Sequence, residues 1–382
     1  MDGLLIAVIA GLLILIASVA SVELGVSVAL IEISLGVVAG NFLGLTSPPW
    51  MDFLASFGGI LLTFLAGAEV DPRIMQEKLK ESVLIGGVSF AAPFLGAWLF
   101  CAWVLGWSQS AAQIAGVALS TTSLAVVYAV LVETGLTLTS LGKLIMAATF
   151  VTDFAVALAL ALLFLRPTWW LVPFLAVSVL SICGMVALQE RFFARYGERV
   201  IEPEIKGAIA VLLVLMFFAE KAQSHAVLPA FVLGLALARV FHEHPELTRR
   251  FRVVAFALLT PFFFLKGGMN VSLALVWANL GLLVLLLAIK LATKFAGVYP
   301  LARRWMPRQA MFTTLLMSTG LTFGTIASLY GLNVGFIDRA QFSVLVAVVV
   351  ASAVIPTVIA QRWFSPIELV RHVRGRRAAA AD

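Results

Sequence analysis

Long runs of apolar residues, separated by short polar or Gly/Pro-rich segments, make up nearly the whole chain. Each run is about 18–25 residues long, enough for a helix to cross the roughly 30 Å of a bilayer's hydrocarbon. Dividing the chain at the polar segments predicts about thirteen transmembrane helices. They cover residues 3–22, 24–45, 51–70, 82–106, 111–132, 141–165, 168–189, 205–222, 226–241, 253–268, 271–299, 308–330 and 340–362.

The composition supports this all-α, polytopic membrane fold. Of the 382 residues, 62% are hydrophobic and only 12% are charged, whereas soluble domains carry about 25% charged residues. The net charge of +6 does not indicate a nucleic-acid partner, because the basic residues lie in short connections between apolar runs. Cys101 and Cys183 lie inside such runs without metal-ligand spacing, and we interpret them as packing residues.

Basic residues collect in alternate connections, which predicts how the chain is oriented. One side holds Arg73, Lys78, Lys80, Lys143, Arg191, Arg195, Arg199, Lys206, Arg239, Arg249, Arg250, Arg252, Arg303, Arg304, Arg308, Arg362, Arg371, Arg374, Arg376 and Arg377. The other side holds only Arg166, Lys221 and Arg339. Because positive residues favour the cytoplasmic side, we expect a multi-pass protein of the inner (plasma) membrane with its N-terminus outside and its C-terminus inside.

Two predicted spans contain polar clusters at mid-membrane. The fifth holds Ser120, Thr121, Thr122 and Ser123, and the twelfth holds Ser318, Thr319 and Gly320. Ser and Thr compete for backbone hydrogen bonds and Gly weakens helices, so both spans are candidates for broken helices. Seven spans separate them, an odd offset that gives opposite orientations and predicts an inverted-topology repeat. The alternative is that these small residues only allow helices to pack closely.

The sixth span carries one acid, Asp153, inside an otherwise apolar run. A carboxylate at that depth is expensive unless it faces water, a cation or a partner. Desolvation favours its protonated form and a nearby cation favours its ionised form. Thr149 lies one turn earlier and Thr152 is adjacent, so the three can line one helical patch. We predict that Asp153 binds a proton or a Na⁺ or K⁺ ion in turn, with hydroxyls of Thr152, Thr149, Thr121, Thr122 and Thr319 as oxygen ligands.

Five other charged residues lie within or near the spans. Lys290 and Lys294 are one turn apart on the eleventh span, and both cannot comfortably be charged on one dry face. We expect Lys294 to neutralise the ends of the broken helices or to pair with a carboxylate. Lys266 is a candidate for snorkelling to the outer interface. Glu32 and Glu69 are either packing partners or parts of a cation entry path.

Several of these segments resemble the cation:proton antiporter-2 family. The run STTSLAVV at residues 120–127 is similar to the family's fifth-span signature, and Thr152-Asp153 falls at its ion-binding pair. LAGAEVD at 65–71 and IEISLG at 31–36 resemble two further family stretches. Lys294 precedes Arg303 by nine residues, the spacing of the family lysine, which selects Lys294 over Lys290.

The resemblance implies the sodium/proton antiporter fold: thirteen helices with two crossed, discontinuous helices beside the aspartate. It implies a dimer or scaffold part at 1–80 and 190–268, a core or transport part at 82–165 and 271–362, and a linker helix at 168–189. Together residues 1–362 would form one transporter unit, followed by a basic, disordered cytoplasmic tail at 363–382. It also implies a homodimer, an elevator-like mechanism and no cofactor, and it leaves room for a separate cytoplasmic regulatory subunit.

One departure bears on the chemistry. Electrogenic members carry Asp-Asp at the pair and electroneutral members carry Asn or Gln first, whereas this chain has Thr152. With Asp153 as the single titrating acid, one proton would exchange for one monovalent cation without net charge movement. The sequence therefore predicts a transporter, not an enzyme: a Na⁺/H⁺ or K⁺/H⁺ antiporter. A passive cation channel and a sodium-coupled organic-anion symporter of related fold are the alternatives.

Overall fold

The computed structural model describes residues 3–24, 27–70, 78–134, 136, 139–164, 168–196 and 202–366, and this part of the chain is helical with no strand. The first helices are α1 (Gly3–Leu24), α2 (Val28–Phe42), α3 (Pro49–Ala68), α4 (Leu79–Trp103), α5 (Gln109–Ser120), α6 (Leu124–Glu133), α7 (Ser140–Leu163) and α8 (Leu171–Tyr196). They are followed by α9 (Pro203–Lys221), α10 (Val227–Glu243), α11 (Pro245–Val254), α12 (Thr260–Met269), α13 (Leu273–Ala278), α14 (Leu280–Trp305), α15 (Ala310–Met317), α16 (Thr322–Val334) and α17 (Arg339–Trp363).

The all-helical membrane fold predicted from the apolar runs is confirmed. Ten helical spans among the described residues are long and apolar enough to cross a bilayer. Three of the predicted spans coincide with α2, α9 and α10, which are shorter or more polar. The total of thirteen therefore stays a prediction.

Both spans that contain polar clusters are broken where the clusters lie. The fifth span consists of α5 and α6, separated by the non-helical residues 121–123. The twelfth consists of α15 and α16, separated by the non-helical residues 318–321. Hydroxyl side chains and a glycine weaken the helix locally, which explains why the breaks are visible in the sequence.

Two other predicted spans have different boundaries. The eleventh is divided at Asn279, whose side chain donates to Leu275 O at 2.8 Å, and its long part α14 continues to Trp305. The tenth begins earlier, at Pro245, because α11 and α12 are joined through a π-helical turn at Ala255–Leu259. Propensity did not indicate this turn, since its sequence AFALL suits an ordinary α-helix.

The chain divides into two compact units. One comprises Met1–Thr46, Arg73–Val156 and Gly267–Asp382. Its apolar core joins helices α6, α7, α14, α15 and α17. The buried side chains of this core include Leu144, Val298, Phe312 and Leu316. α4 also belongs to this unit and packs against α5 and α14. This unit holds both helix breaks.

The other unit comprises Ser47–Pro72 and Ala157–Lys266. Here α10 packs along α3, and the rings of Phe64, Phe241 and Phe251 meet in one buried cluster with centroids 5.3–5.8 Å apart. The assignment of scaffold, transport and linker parts stays a prediction. Arg73, Arg166, Arg199 and the predicted tail from residue 367 onward lie outside the described residues.

Candidate ion-binding site

The two helix breaks are hydrogen-bonded to each other. Thr122 Oγ1, in the first break, donates to Met317 O at the end of α15, at 2.9 Å. In return, Thr319 Oγ1 in the second break accepts the backbone N–H of Ser123, at 3.3 Å. Four helix ends thus meet at one buried crossing. Backbone groups that a continuous helix would hydrogen-bond are bonded there by side chains.

Four hydroxyls of the two clusters donate hydrogen bonds to carbonyls of their own helices. They cap end carbonyls through four bonds: Ser120 to Val117 O, Thr121 to Ala118 O, Ser318 to Thr314 O and Thr319 to Leu316 O. All four are buried. Their protons are engaged, so these oxygens can face an ion only with their lone pairs, as cation ligands do.

Asp153 lies on α7, is only 1% exposed, and its Oδ1 has no hydrogen-bond partner among the described residues. The two predicted threonines tie this stretch of α7 to its surroundings. Thr149 Oγ1 bonds to Ile145 O and lies 3.7 Å from Met317 Sδ at the crossing. Thr152 Oγ1 lies 3.1 Å from Gly86 O on α4 and 3.0 Å from Ala148 O. A buried carboxyl oxygen without a hydrogen-bond partner is costly unless the group is protonated or faces a cation.

Gly86 makes the contact between α4 and α7 possible. A Cβ at this position would overlap Ala148 O and the side chain of Val151. Only glycine therefore lets the two helix backbones approach closely enough for Thr152 to reach across.

Lys294 binds hydroxyls rather than a second acid. Its Nζ, on the fully buried side chain, donates to Ser89 Oγ on α4 at 2.7 Å and to Thr122 Oγ1 at 3.0 Å. It lies within electrostatic range of Asp153, but the two form no ion pair among the described residues. Thr152, the residue beside Asp153, carries no charge, and the lysine joins α14 to α4 and to the first helix break.

Sequence reasoning missed Ser89. The available signal was a stripe of small residues on α4, Ser82, Gly86 and Ser89, spaced by four and three residues on one helical face. Such a stripe is also typical of simple helix packing.

Lys290 has a different environment from Lys294, although it lies only one turn away. It is fully buried, and its Nζ has no hydrogen-bond partner among the described residues. The amine lies against Gly320 at the crossing, where a Cβ at position 320 would overlap Nζ. Gly320 therefore provides the space that the Lys290 amine occupies.

Three further candidates have surroundings of their own. Glu32 is buried on α2, and its Oε2 has no partner there. Lys266 Nζ pairs with Asp52 Oδ1 at 2.7 Å. Glu69, one residue beyond α3, pairs with Arg252 at 2.8 Å. Burial raises the pKa of Glu69, and the Arg252 guanidinium and the more weakly acting His242 lower it again in part.

Comparison with known proteins places this arrangement in a family. The profile of the sodium/hydrogen exchanger transmembrane family matches residues 5–365. The chain belongs to the sodium/hydrogen exchanger family. The resemblance to cation:proton antiporters is thereby confirmed, and the family is one of transporters rather than enzymes.

Relatives of this exchanger-family chain include a probable Na⁺/H⁺ antiporter 3 of Methanocaldococcus jannaschii, 26% identical over 82% of this chain and 84% of the relative. The Na⁺/H⁺-K⁺ antiporter GerN of Bacillus cereus is 23% identical over 88% of this chain and 89% of the relative. The fold is similar to that of the sodium proton antiporter MjNhaP1 from Methanocaldococcus jannaschii, with a TM-score of 0.71, 14% identity, and coverage of 97% and 100% of the two chains.

Proposed function

We propose that this exchanger-family chain is a secondary active antiporter that exchanges a monovalent cation, Na⁺ or K⁺, for H⁺, with Asp153 binding each in turn. The observation that carries the proposal is the buried carboxyl of Asp153, whose Oδ1 is without a partner among the described residues. The relatives with Na⁺/H⁺ and Na⁺/H⁺-K⁺ antiporter names support the cation class.

Coupling follows from mutual exclusion at this carboxyl. In a dry interior Asp153 is tolerated as a neutral acid or as a carboxylate with a cation beside it, and the bare anion is disfavoured. A proton and an alkali ion therefore compete for the same oxygens. Thr149 and Thr152 on α7, together with Thr121, Thr122 and Thr319 at the crossing, supply hard oxygen lone pairs. Ser120, Ser123, Ser318 and Gly320 shape the two breaks.

The exchange is electroneutral in this proposal. Lys294 stays bound to Ser89 and Thr122, so Asp153 is the one group that changes its charge. One H⁺ then moves against one cation. Transport rates in proteoliposomes should not respond to an imposed membrane potential, and acceleration by the potential would contradict this stoichiometry.

The conformational cycle is elevator-like in this proposal: a transport part carrying the crossing moves relative to a scaffold part. The two broken spans belong to inverted repeats, as their opposite predicted orientations imply. The chain works as a homodimer in the plasma membrane, with its N-terminus outside and its C-terminus in the cytoplasm, where a separate regulatory subunit could act.

The test is a pH-dye assay in everted vesicles. Adding Na⁺, K⁺, Li⁺ or Rb⁺ in turn should dissipate an imposed proton gradient with the wild type, and the series identifies the cation. Asp153→Asn should abolish the signal. Asp338→Asn is the matched control, because Asp338 caps α17 at the surface, where Asn is an equally good N-cap.

Two rivals give different results in the same vesicles. Cation flux that persists without proton counterflow would indicate a channel. Proton-independent uptake of an organic anion with Na⁺ would indicate a symporter. Full exchange activity in Asp153→Asn would overturn the assignment of the site.

A further inference from the structure

A groove opens between α14, α15 and α17 in the unit that holds the crossing. Its volume is about 310 Å³, and all eight side chains that line it are apolar. Leu291 and Phe295 line it from α14, Leu315 from α15 and Ile355 from α17, and Phe364, just after α17, also lines it. In a membrane-spanning part of the chain, such a groove is open to lipid.

The apolar lining alone does not select an occupant. Lipid tails are as apolar as leucine side chains, so moving a tail from the bilayer into the groove gains little. Preference for one lipid must come from the head group. The charged residues around the groove therefore decide which lipid it holds.

Two exposed arginines are each three residues away in sequence from a residue that lines the groove. Arg308 comes three residues before Met311, and Arg362 comes three residues after Ile359. Neither forms an ion pair with any described residue. The Arg362 guanidinium lies 5.7 Å from the ring of Trp363, an exposed tryptophan of the kind found at the membrane surface. Positive charge without a protein partner at this level attracts an anionic head group.

We propose that this groove binds an acyl chain of an anionic phospholipid, whose phosphate is held by Arg308 and Arg362. Arginine suits this role, because a guanidinium group binds phosphate oxygens through paired hydrogen bonds. Each arginine near the membrane surface contributes about fivefold to the binding of an anionic lipid, so two give roughly 30-fold preference over a zwitterionic lipid with the same tails.

The bound acyl chain would contact residues that are close in sequence to those of the ion site. Leu291 and Phe295 directly follow the buried Lys290 and Lys294 on α14. Leu315 lies two residues before Met317, whose carbonyl accepts the bond from Thr122. Filling the groove therefore supports two of the helices that form the crossing, and we expect the anionic lipid to raise the exchange rate. The binding itself does not depend on the proposed antiport.

The test titrates the purified full chain with phosphatidylglycerol or phosphatidylcholine of identical chain length and counts bound lipids by native mass spectrometry. The wild type should retain phosphatidylglycerol roughly 30-fold better. Arg308→Gln and Arg362→Gln should each lose about fivefold of this preference. Ile355→Trp, which places an indole in the groove, should abolish the retained lipid.

Two control variants keep the test specific. Val354 and Ile355 are both 42% exposed and adjacent on α17, but only Ile355 lines the groove, so Val354→Trp should bind lipid as the wild type does. Arg249→Gln removes another exposed arginine, which lies on α11 and pairs with Glu246, and should also have no effect. The arginine variants keep the test decisive if Ile355→Trp does not fold.

Equal retention of the two lipids by the wild type would overturn the proposal, as would lipid retained by Ile355→Trp or lost equally by Val354→Trp. Exchange measured in vesicles of each lipid then tests the coupling separately. Lipid binding without exchange would refute the antiporter assignment and leave the lipid site standing. Exchange without selective lipid binding would refute the lipid site and leave the antiporter assignment standing.

Discussion

Thr122 and Thr319 lie in different broken helices, and each hydroxyl bonds to the backbone of the other's helix. Thr122 donates to Met317 O at 2.9 Å, and Thr319 accepts from Ser123 N at 3.3 Å. Each helix break is therefore stabilised by a hydrogen bond with the other. Thr122 also accepts a hydrogen bond from the Lys294 amine at 3.0 Å, so it links the first break to α14 as well as to α15.

Thr122→Val should lower cation-dependent proton exchange at least tenfold and should reduce stability by about 1–3 kcal/mol, since Met317 O and Lys294 both lose a buried partner. Thr122→Ser retains the hydroxyl and should stay within a few-fold of the wild type. The measurements are the vesicle assay and thermal unfolding in detergent. Thr357→Val is the control, because Thr357 bonds only to Ala353 O within α17. Equal losses in the Val variants at 122 and 357 would contradict a special role for the crossing.

Lys290 and Lys294 should respond oppositely to replacement by methionine. The Lys290 amine is buried without a partner among the described residues, so Lys290→Met removes an unsatisfied polar group and should stabilise the protein by about 1 kcal/mol. Lys294→Met removes the donor to Ser89 and Thr122 and should destabilise it by about 1–3 kcal/mol.

Melting temperatures of the two variants in one detergent check this pair. Because both lysines are fully buried and one turn apart on α14, each variant serves as the control for the other. Vesicle assays should show that Lys290→Met retains the wild-type exchange and that Lys294→Met loses most of it. Shifts of the same sign and size would show that the amines have equivalent surroundings.

The helix breaks could be predicted because their cause is local. Runs of Ser, Thr and Gly weaken a helix at the residues where they occur, so residues 120–123 and 318–320 marked the crossing directly. Asp153 was equally visible, since one acid in an apolar run has no local explanation. The helical membrane fold followed from the lengths of the apolar runs.

The partners of the buried charges could not be predicted, because they depend on packing between helices distant in sequence. Ser89 and Lys294 are 205 residues apart, and a lone serine in an apolar span has no distinguishing pattern. Likewise, Arg252 reaches Glu69 across 183 residues, and Lys266 pairs with Asp52 rather than only extending toward the interface. Periodicity identifies a helix and its faces but not which face meets which neighbour.

Gly320→Ala should disrupt the crossing. A Cβ there would overlap the Lys290 amine and approach Thr121 Oγ1 to 2.8 Å, and overpacking of this kind costs about 1–3 kcal/mol. We expect a lowered melting temperature and at least tenfold slower exchange. Gly281→Ala on α14 is the matched control, since a Cβ there meets no atom within 4 Å, and it should be neutral or slightly stabilising because Ala favours the helix. A wild-type rate in Gly320→Ala would show that the crossing can relax.

His225, in the connection between α9 and α10, should make the protein less stable in mild acid. Burial lowers the pKa of His225 to about 4, whereas an unfolded histidine has a pKa near 6.5. Between these values the unfolded chain takes up a proton that the folded chain excludes, so stability falls as the pH decreases from about 6.5 toward 4 and is unaffected above that window. The loss of stability should not exceed about 3.4 kcal/mol. Melting temperatures at pH 7.5 and 5.0 should differ less in His225→Gln than in the wild type, and an unchanged difference would assign the acid sensitivity to other groups.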